Sequence, residues 1–199
     1  EDEKLVSLVR RWVHEGGGLV GIGEPAAVHK NGRFFQLADV FGVEKELGFT
    51  LSTDKYFTKP LEQHYLTQDR TGPFDFGEGM KNIYALGADT EIVEYSDHEV
   101  HLAVHPYGKG KSVYMAGLPY SCENTRLLLR SLYCAAGQEE KLYRWYADDP
   151  QCEVHAYPKA GIYAVLNNSG EERSTTVYDG LGRTEQITLE AGAIRWKTI

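Results

Sequence analysis

The stretch GGGLVGIGEPAAVHKNGRFFQLADVFGV, residues 16–43, decides the fold of this chain. Its apolar run at 19–22 lies between glycines, as expected of a buried parallel strand. Upstream, apolar residues recur at helical spacing before the glycines end the helix: Leu5, Leu8, Val9, Trp12 and Val13. Downstream, the pattern of residues 34–41 predicts a short helix that ends at Gly42. Such short connections between helix and strand are typical of an α/β fold, in which helices cover a wound sheet.

The chain starts directly on the first predicted helix and has no initiator Met. In a wound α/β sheet such a helix ordinarily follows an earlier strand. We therefore expect this sequence to be a piece of a larger protein, whose remaining part is its first partner.

Composition narrows the classes of function. The 199 residues, 42% of them hydrophobic, suffice for one good core or for a core with a small satellite domain. A mean hydropathy of -0.42 and the lack of a long apolar run exclude a membrane-spanning helix. A formal charge of -8 would repel a nucleic-acid backbone, and no basic patch offsets it. We therefore expect neither a nucleic acid nor a membrane as a partner.

The cysteines indicate the compartment. Cys122, Cys134 and Cys152 are odd in number and lack the spacing of metal ligands. They favour a reduced, cytoplasmic protein and do not indicate a metal site. We also expect no cofactor.

Strand and turn signals organise the middle of the chain. Residues 53–87 are irregular and predict a long loop or surface excursion. An antiparallel meander follows at 92–95, 100–105 and 112–116, with Asp97-His98 in its first turn. Ser121 then caps a strong helix to about Ala136, whose predicted buried stripe is Leu127, Leu128, Leu132 and Tyr133.

After Gly137 the pattern changes class. A short helix around 140–146 precedes short strands separated by turn residues, at 152–157, 162–167, 173–178, 184–189 and 193–197. We predict part of an α/β domain over 1–137 and a small C-terminal all-β domain over 138–199. A β domain of about fifty residues is near the lower size limit for independent stability. We therefore expect it to pack against the first domain and to be stabilised by it.

The best local candidate for a ligand site follows the first strand. Gly21-Ile22-Gly23 lacks the third glycine of a dinucleotide loop, and Glu24 and Pro25 place a charge and a rigid ring where pyrophosphate would lie. Its glycines more simply allow close helix-to-sheet packing. Ligands of open α/β sheets bind at this edge, and the next loop offers groups for an anionic or polyhydroxy ligand: His29, Lys30, Asn31 and Arg33. The alternative is a loop that supports an interdomain or subunit contact.

Other chemically active residues have plainer structural interpretations. Cys122 lies at a helix start, where the dipole lowers a thiol pKa, but a small core residue is the commoner role. His101 and His105 share one strand face about 13 Å apart, too far to chelate one metal directly. Asp54 is an acid/base group or an Asx cap. No Gly-x-Ser-x-Gly elbow or amidotransferase cysteine pattern is present, so we predict no catalytic residue and no metal site here.

Several runs of sequence, in one order, resemble a known family. They are GGGLVGIGEPA (16–26), NGRFFQLADVFGV (31–43), LSTDKY (51–56), YGKGKSVYMAGLPYS (107–121) and CEV (152–154). They closely resemble the galacto-N-biose/lacto-N-biose phosphorylases and their galactosyl-rhamnose phosphorylase relatives, and the similarity spans nearly the whole chain.

The resemblance implies the architecture and activity of a parent protein. It would have an N-terminal TIM-type barrel, a middle α/β domain similar to glutamine amidotransferases and to the trimerisation domain of some β-galactosidases, and a small C-terminal β domain. As a glycosyltransferase of carbohydrate metabolism, it would convert a β-galactosyl disaccharide and phosphate, with inversion, to α-galactose 1-phosphate and free sugar. The general acid of the family is an Asp on the barrel, which no position here matches. A homo-oligomer is expected.

Three interpretations follow. In the first, this chain is a non-catalytic scaffold that closes the barrel rim and forms subunit contacts, with Lys30 and Arg33 contributing to a phosphate cradle. In the second, it is an independent carbohydrate-binding or regulatory module whose aromatic loop 56–76 binds a glycan. The third is an amidotransferase-like enzyme, against which the missing cysteine nucleophile argues.

Overall fold

The computed structural model describes residues 3–25, 34–47 and 63–199. Its helices are α1 (Glu3–His14), α2 (Ala38–Phe41) and α3 (Cys122–Ala135). The strands of the first part are β1 (Gly18–Ile22), β2 (Val43–Lys45), β3 (Ile83–Ala85), β4 (Glu91–Ser96), β5 (Glu99–Tyr107) and β6 (Gly110–Met115). None of the helices within the described ranges combines the length and apolarity needed to cross a membrane.

The central sheet is mixed, with strand order β1-β6-β5-β4. β1 runs parallel to β6, with Ile22 opposite Met115, whereas β5 is antiparallel to both of its neighbours. Asp97 and His98, both at positive φ, turn the chain between β4 and β5. The predicted strand and meander are therefore confirmed, in a sheet that has one parallel pair among its described strands.

Helices cover both faces of this sheet. On one face Val13 of α1 and Phe41 of α2 pack with Tyr114, and on the other Leu127 of α3 packs with Val113. These layers confirm the predicted α/β arrangement. The predicted helix at 34–41 is shorter than expected, because only Ala38–Phe41 is helical before Gly42 ends it at φ 67. Beside it lies an antiparallel β2–β3 pair that sequence periodicity does not predict.

Glycines of the first strand allow the layers to come close. A Cβ at Gly18 would lie 2.2 Å from the carbonyl oxygen of Ala135 at the end of α3. One at Gly21 would lie 2.5 Å from the Phe41 ring. The predicted close helix-to-sheet packing is confirmed at Gly21, whereas a Cβ at Gly23 would meet no atom within 4 Å and Gly23, at φ 67, serves the turn.

Helix α3 starts as predicted but buries a different face. The Ser121 hydroxyl accepts a hydrogen bond from the Asn124 N–H at 3.0 Å and caps the helix. Leu132, predicted to be buried, is 51% exposed, whereas Arg126 and Arg130 are buried. The predicted apolar stripe is confirmed at Leu127, which is buried, and at Leu128, which packs against the core, and it is wrong at Leu132. Both guanidinium groups turn inward to a carboxylate from a distant part of the chain.

The C-terminal part is a sandwich of two antiparallel sheets. Its strands are β7 (Tyr146–Ala147), β8 (Cys152–Tyr157), β9 (Ile162–Asn167), β10 (Arg173–Tyr178), β11 (Thr184–Leu189) and β12 (Ile194–Thr198). The orders are β11-β10-β7 and β12-β9-β8, around a core that includes Val165, Val177 and Ile187. The predicted strands are confirmed, the last displaced by one residue. The predicted helix at 140–146 is instead a 3₁₀ segment, Glu139–Arg144, followed by β7.

Candidate functional site

The carboxyl ends of β1 and β6 form the edge at which the sequence places its candidate site. After Ile22 the chain turns at Gly23, at φ 67, and the Gly23 N–H donates to the Met115 carbonyl at 2.9 Å. Glu24 is exposed just beyond this turn. His29, Lys30, Asn31 and Arg33 lie outside the described residues, as does Asp54. The structure therefore places Glu24 at the sheet edge and leaves the remaining site residues as predictions.

A buried tyrosine supports the turn that carries Glu24. The hydroxyl of Tyr114 donates to the Gly23 carbonyl at 3.2 Å. Burial raises the pKa of Tyr114, and the nearby carboxylates of Glu24 and Glu99 raise it further. Tyr114 is therefore a neutral hydrogen-bond donor at physiological pH, suited to positioning the turn and not to removing protons.

The segment that follows residue 73 closes the end of β6. The Met80 N–H donates to the Ala116 carbonyl at 2.8 Å, and the Phe76 ring stacks on His101 with centroids 5.3 Å apart. His101 is 9% exposed, and neither of its ring nitrogens has a hydrogen-bond partner among the described residues. The Glu99 Oε2 atom is likewise without one within the described ranges. This side of the edge thus contains buried ring nitrogens and a carboxylate oxygen that form no hydrogen bond within the described part of the chain.

The two histidines that share a strand face, His101 and His105, have different surroundings. The Nδ1 atom of His105 lies 3.1 Å from the Thr90 hydroxyl, whereas His101 packs on Phe76, so the two histidines serve separate environments. Within 3–25, 34–47 and 63–199, no group of three or more His, Cys, Asp or Glu side chains is arranged to hold a metal ion.

The cysteines are poorly activated. Burial raises the pKa values of Cys134 and Cys152 to about 11. Burial raises the pKa of Cys122, and the carboxylates of Glu123, Glu153 and Asp149 raise it further, so the net shift is opposite to the lowering expected at a helix start. Few of these thiols are ionised at neutral pH, so none resembles an activated nucleophile.

A second polar site lies where the α/β part meets the sandwich, a boundary that we call the seam. The sequence does not predict this site. The carboxylate of Asp69 accepts hydrogen bonds from Arg126 Nη1 at 3.0 Å, Arg130 Nε at 2.5 Å and the Tyr146 hydroxyl at 2.6 Å. We call Asp69, Arg126, Arg130 and Tyr146 the Asp69 cluster. The one sequence signal is the i, i+4 spacing of the two arginines, which places them on one face of α3.

The Asp69 cluster is suited to support and not to proton transfer. Burial by itself would raise the pKa of Asp69, but hydrogen bonds from Arg130 and Tyr146 and the charges of both arginines hold it below its ordinary value. Arg126 Nη2 also donates to the carbonyls of Ala147, at 3.0 Å, and Cys152, at 3.3 Å. One carboxylate thus fixes α3 against the first strands of the sandwich.

The chain thus consists of an α/β layer structure followed by a β-sandwich, with polar groups at the sheet edge and a charged seam. Comparison with protein-family models identifies its class. Residues 1–140 match the family model of the lacto-N-biose phosphorylase central domain, and residues 145–197 match that of the C-terminal domain. The chain belongs to the lacto-N-biose phosphorylase family.

Named relatives agree with this assignment. A 1,3-beta-galactosyl-N-acetylhexosamine phosphorylase of Lachnoclostridium phytofermentans is 49% identical over 100% of this chain and 27% of its own length. The enzyme of that name from Bifidobacterium longum is 38% identical over 98% of the chain and 30% of its own. A D-galactosyl-beta-1->4-L-rhamnose phosphorylase of L. phytofermentans is 28% identical over 89% of the chain and 24% of its own. The chain therefore spans 24–30% of the length of these relatives.

Solved structures show a likeness of fold alone. The GH42 beta-galactosidase Gan42B superposes with a TM-score of 0.52 at 17% identity, over 100% of this chain and 30% of that one. A catalytic mutant of the same enzyme from G. stearothermophilus gives 0.51, also at 17% identity, over 98% and 30%.

Proposed function

We propose that this chain is the non-catalytic middle and C-terminal portion of an inverting glycoside phosphorylase. The parent would convert a β-galactosyl disaccharide of the lacto-N-biose or galacto-N-biose type, with phosphate, to α-galactose 1-phosphate and free sugar. The observation that carries this proposal is the consecutive match of the chain to the central and C-terminal domains of one phosphorylase family.

The chemistry of inverting phosphorolysis supports the non-catalytic role. One carboxylic acid must protonate the leaving oxygen, while phosphate attacks from the opposite face of the sugar. Glu24 is exposed at the sheet edge, and Asp69 is held ionised by two guanidinium groups. The pKa of Asp69 is thus held below its ordinary value, whereas a general acid requires a raised one. The acid is therefore assigned to a preceding barrel of the parent.

The β1 edge is assigned to the rim of the parent active site. In this proposal Glu24, His29, Lys30 and Arg33 line the rim, and the two cations contribute to a phosphate cradle. Alanine at both Lys30 and Arg33 in the full-length enzyme should raise the KM for phosphate and for the disaccharide. Unchanged KM values for both would remove the rim assignment.

The domain organisation belongs to the same proposal. We place an amidotransferase-like domain over 1–137 and the C-terminal β domain over 138–199, supported by family matches that end at 140 and resume at 145. A cytoplasmic location is supported by the three cysteines, all of them free thiols. A homo-oligomer is supported by an exposed apolar face on α1, formed by Leu5, Leu8 and Trp12.

Neutralising Glu24, an exposed carboxylate of the β1 edge, tests the non-catalytic role. Glu24→Gln in the full-length enzyme should leave kcat within about threefold of the parent value, because loss of a general acid ordinarily costs about 10²-fold or more. Steady-state phosphorolysis of lacto-N-biose provides the measurement. A fall in kcat of about 10²-fold, with the fold intact by circular dichroism, would place an acid in this chain and contradict the proposal.

A further inference from the structure

One sheet of the C-terminal sandwich ends in a strand whose outer side pairs with no strand of the described ranges. β8 is an end strand of the sheet β12-β9-β8, and its register is continuous with β9 on the inner side. A cleft of about 270 Å³ lies beside the outer side, lined by Val154 and His155 of β8 and by Leu129 of α3. Helix α3 therefore leaves room next to β8.

The backbone groups of alternate β8 residues point away from β9. The Cys152 N–H donates to the Asp149 carbonyl at 2.9 Å, and the Cys152 carbonyl accepts from Arg126 Nη2 at 3.3 Å. Both groups of Cys152 therefore face outward, and in an antiparallel pair this direction alternates from residue to residue. The N–H and C=O groups of Val154 and Ala156 consequently face outward too. Within the described ranges they have no hydrogen-bond partner.

This unpaired edge is short. At one end, Cys152 already uses both of its backbone groups. At the other end, Pro158 has no N–H, and its carbonyl accepts from the Gly161 N–H at 3.1 Å. The free backbone groups are those of Val154 and Ala156. A short edge that ends in proline discourages pairing with a long strand, so a fitting partner offers an equally short segment.

A second copy of β8 offers such a segment. If two copies run antiparallel about a two-fold axis at His155, Val154 of each copy lies opposite Ala156 of the other. Each of these pairs can exchange both of its N–H···O bonds, so every free backbone group of the two edges is satisfied. Cys152 then lies opposite Pro158, where neither strand has an N–H left to donate.

The side chains on the outer face of β8 are complementary in the same register. Val154 and Ala156 pack with the sandwich core, so the alternate residues Glu153, His155 and Tyr157 lie on the opposite face. Glu153 of one copy lies opposite Tyr157 of the other, which places a carboxylate acceptor across from a phenol donor. Within each copy His155 Nε2 lies 2.7 Å from Glu153 Oε2, so each imidazole at the axis is accompanied by its own carboxylate.

We propose that β8 is a dimerisation strand, through which two copies of this chain join their β12-β9-β8 sheets about a two-fold axis at His155. The partner is a second copy because the free groups of this edge match their own reversed order. The inference rests on the homo-oligomer of the proposed function and names the surface that forms it.

Sedimentation velocity of the 199-residue chain over a series of concentrations tests the dimer. Val154→Pro removes an outward N–H, and proline is tolerated at an edge whose N–H faces away from the sheet. Half of the hydrogen bonds between the copies involve Val154 N–H or its reoriented carbonyl, so dimerisation should weaken by about tenfold or more. Ala156→Pro is the second variant. Thr198→Pro puts the same residue on β12, at the opposite edge of the same sheet, and should leave dimerisation unchanged.

A pair of charge variants tests the register. Tyr157→Glu places two carboxylates opposite each other at both Glu153 positions and should oppose dimerisation. Glu153→Lys removes the acceptor of the Tyr157 hydroxyl and should weaken it. In an equimolar mixture the introduced lysine of one variant faces the introduced glutamate of the other, so association should recover. A loss of folding would not be reversed by mixing.

The inference is overturned if the chain stays monomeric at all concentrations, if both proline variants fold and dimerise like the parent, or if the mixture associates no better than its components. Leu8→Lys, on the exposed face of α1, reports on the other candidate surface. Loss of the dimer in that variant alone would retain the homo-oligomer and remove β8. Phosphorolysis by the full-length enzyme is a separate measurement, so each of these failures leaves the proposed reaction standing.

Discussion

The two regions of this molecule are assembled in different ways. In the sandwich, neighbouring strands along the chain pair with each other, as β8 does with β9 and β10 with β11. In the α/β part, β1 pairs with β6 from far along the chain, and Asp69 meets arginines from α3. Both regions contain local hairpins, but the other pairings of the sandwich, β7 with β10 and β9 with β12, stay within 146–198. The α/β part depends in addition on contacts between residues 18–22 and 110–115 and between Asp69 and α3. Single substitutions should accordingly damage the α/β part more.

Removing the carboxylate of the Asp69 cluster should have the largest effect. Asp69→Ala leaves Arg126 and Arg130 buried without their partner, and breaking such a pair costs about 3–5 kcal/mol of unfolding free energy. Urea denaturation measures this loss, and we expect the single transition of the parent to split as the two regions separate. Glu171→Ala removes an acid that is 80% exposed, so it should change stability by less than about 0.5 kcal/mol. Equal effects of the two substitutions would refute the account of the seam.

Adding a side chain at Gly18, where β1 lies close to the end of α3, should have the next largest effect on stability. Gly18→Ala would place a Cβ 2.2 Å from the Ala135 carbonyl oxygen, where backbone faces backbone, and should cost about 1–3 kcal/mol. Thermal unfolding monitored by circular dichroism is sufficient. Gly72→Ala, where the added Cβ meets no atom within 4 Å, is the control from the same region. A Gly18→Ala protein as stable as this control would show that the layers are looser than described.

Acidification should weaken the α/β part before the sandwich. Burial lowers the pKa of His105 below its usual 6.5, and burial likewise lowers that of His64. Because the unfolded chain takes up these protons first, the stability they contribute is complete above about pH 6.5 and is lost as the pH falls through the folded-state values. The lowered pKa of Asp69 adds a further loss below its usual 3.8.

Hydrogen exchange at pH 7 and pH 5, corrected for intrinsic rates, follows each region separately. His105→Gln should reduce the difference between the two pH values in the α/β part, while His155→Gln, at a half-exposed position in the sandwich, serves as its control. A larger loss of protection in the sandwich would reverse the predicted order.

The exposed face of α1 should give the smallest effect on stability. Leu8→Lys changes a residue that is 49% exposed, so the free energy of unfolding should move by less than about 0.5 kcal/mol. Val13→Ala on the buried side of the same helix should cost about 2 kcal/mol. Comparable losses from both would mean that the Leu8 face is covered in the folded chain.

The difference between local strand pairs and long-range contacts also explains which parts of the fold the sequence could predict. The bounds of β8, β9, β10 and β11 follow from alternation and turn residues that lie within a few positions of each strand. The β2–β3 pair and the inward arginines of α3 depend on partners far along the chain, which local periodicity does not encode. At the candidate site, the sheet-edge rule predicts the position of Glu24. The burial of His101, whose ring nitrogens have no partner among the described residues, arises from packing between strands, and no motif marks it.

Phosphorolysis by the purified 199-residue chain, with lacto-N-biose and phosphate as substrates and no other protein present, tests the central claim most directly. The account predicts no α-galactose 1-phosphate above the level of a protein-free blank. Sustained formation of that product, in proportion to the amount of chain added, would contradict it.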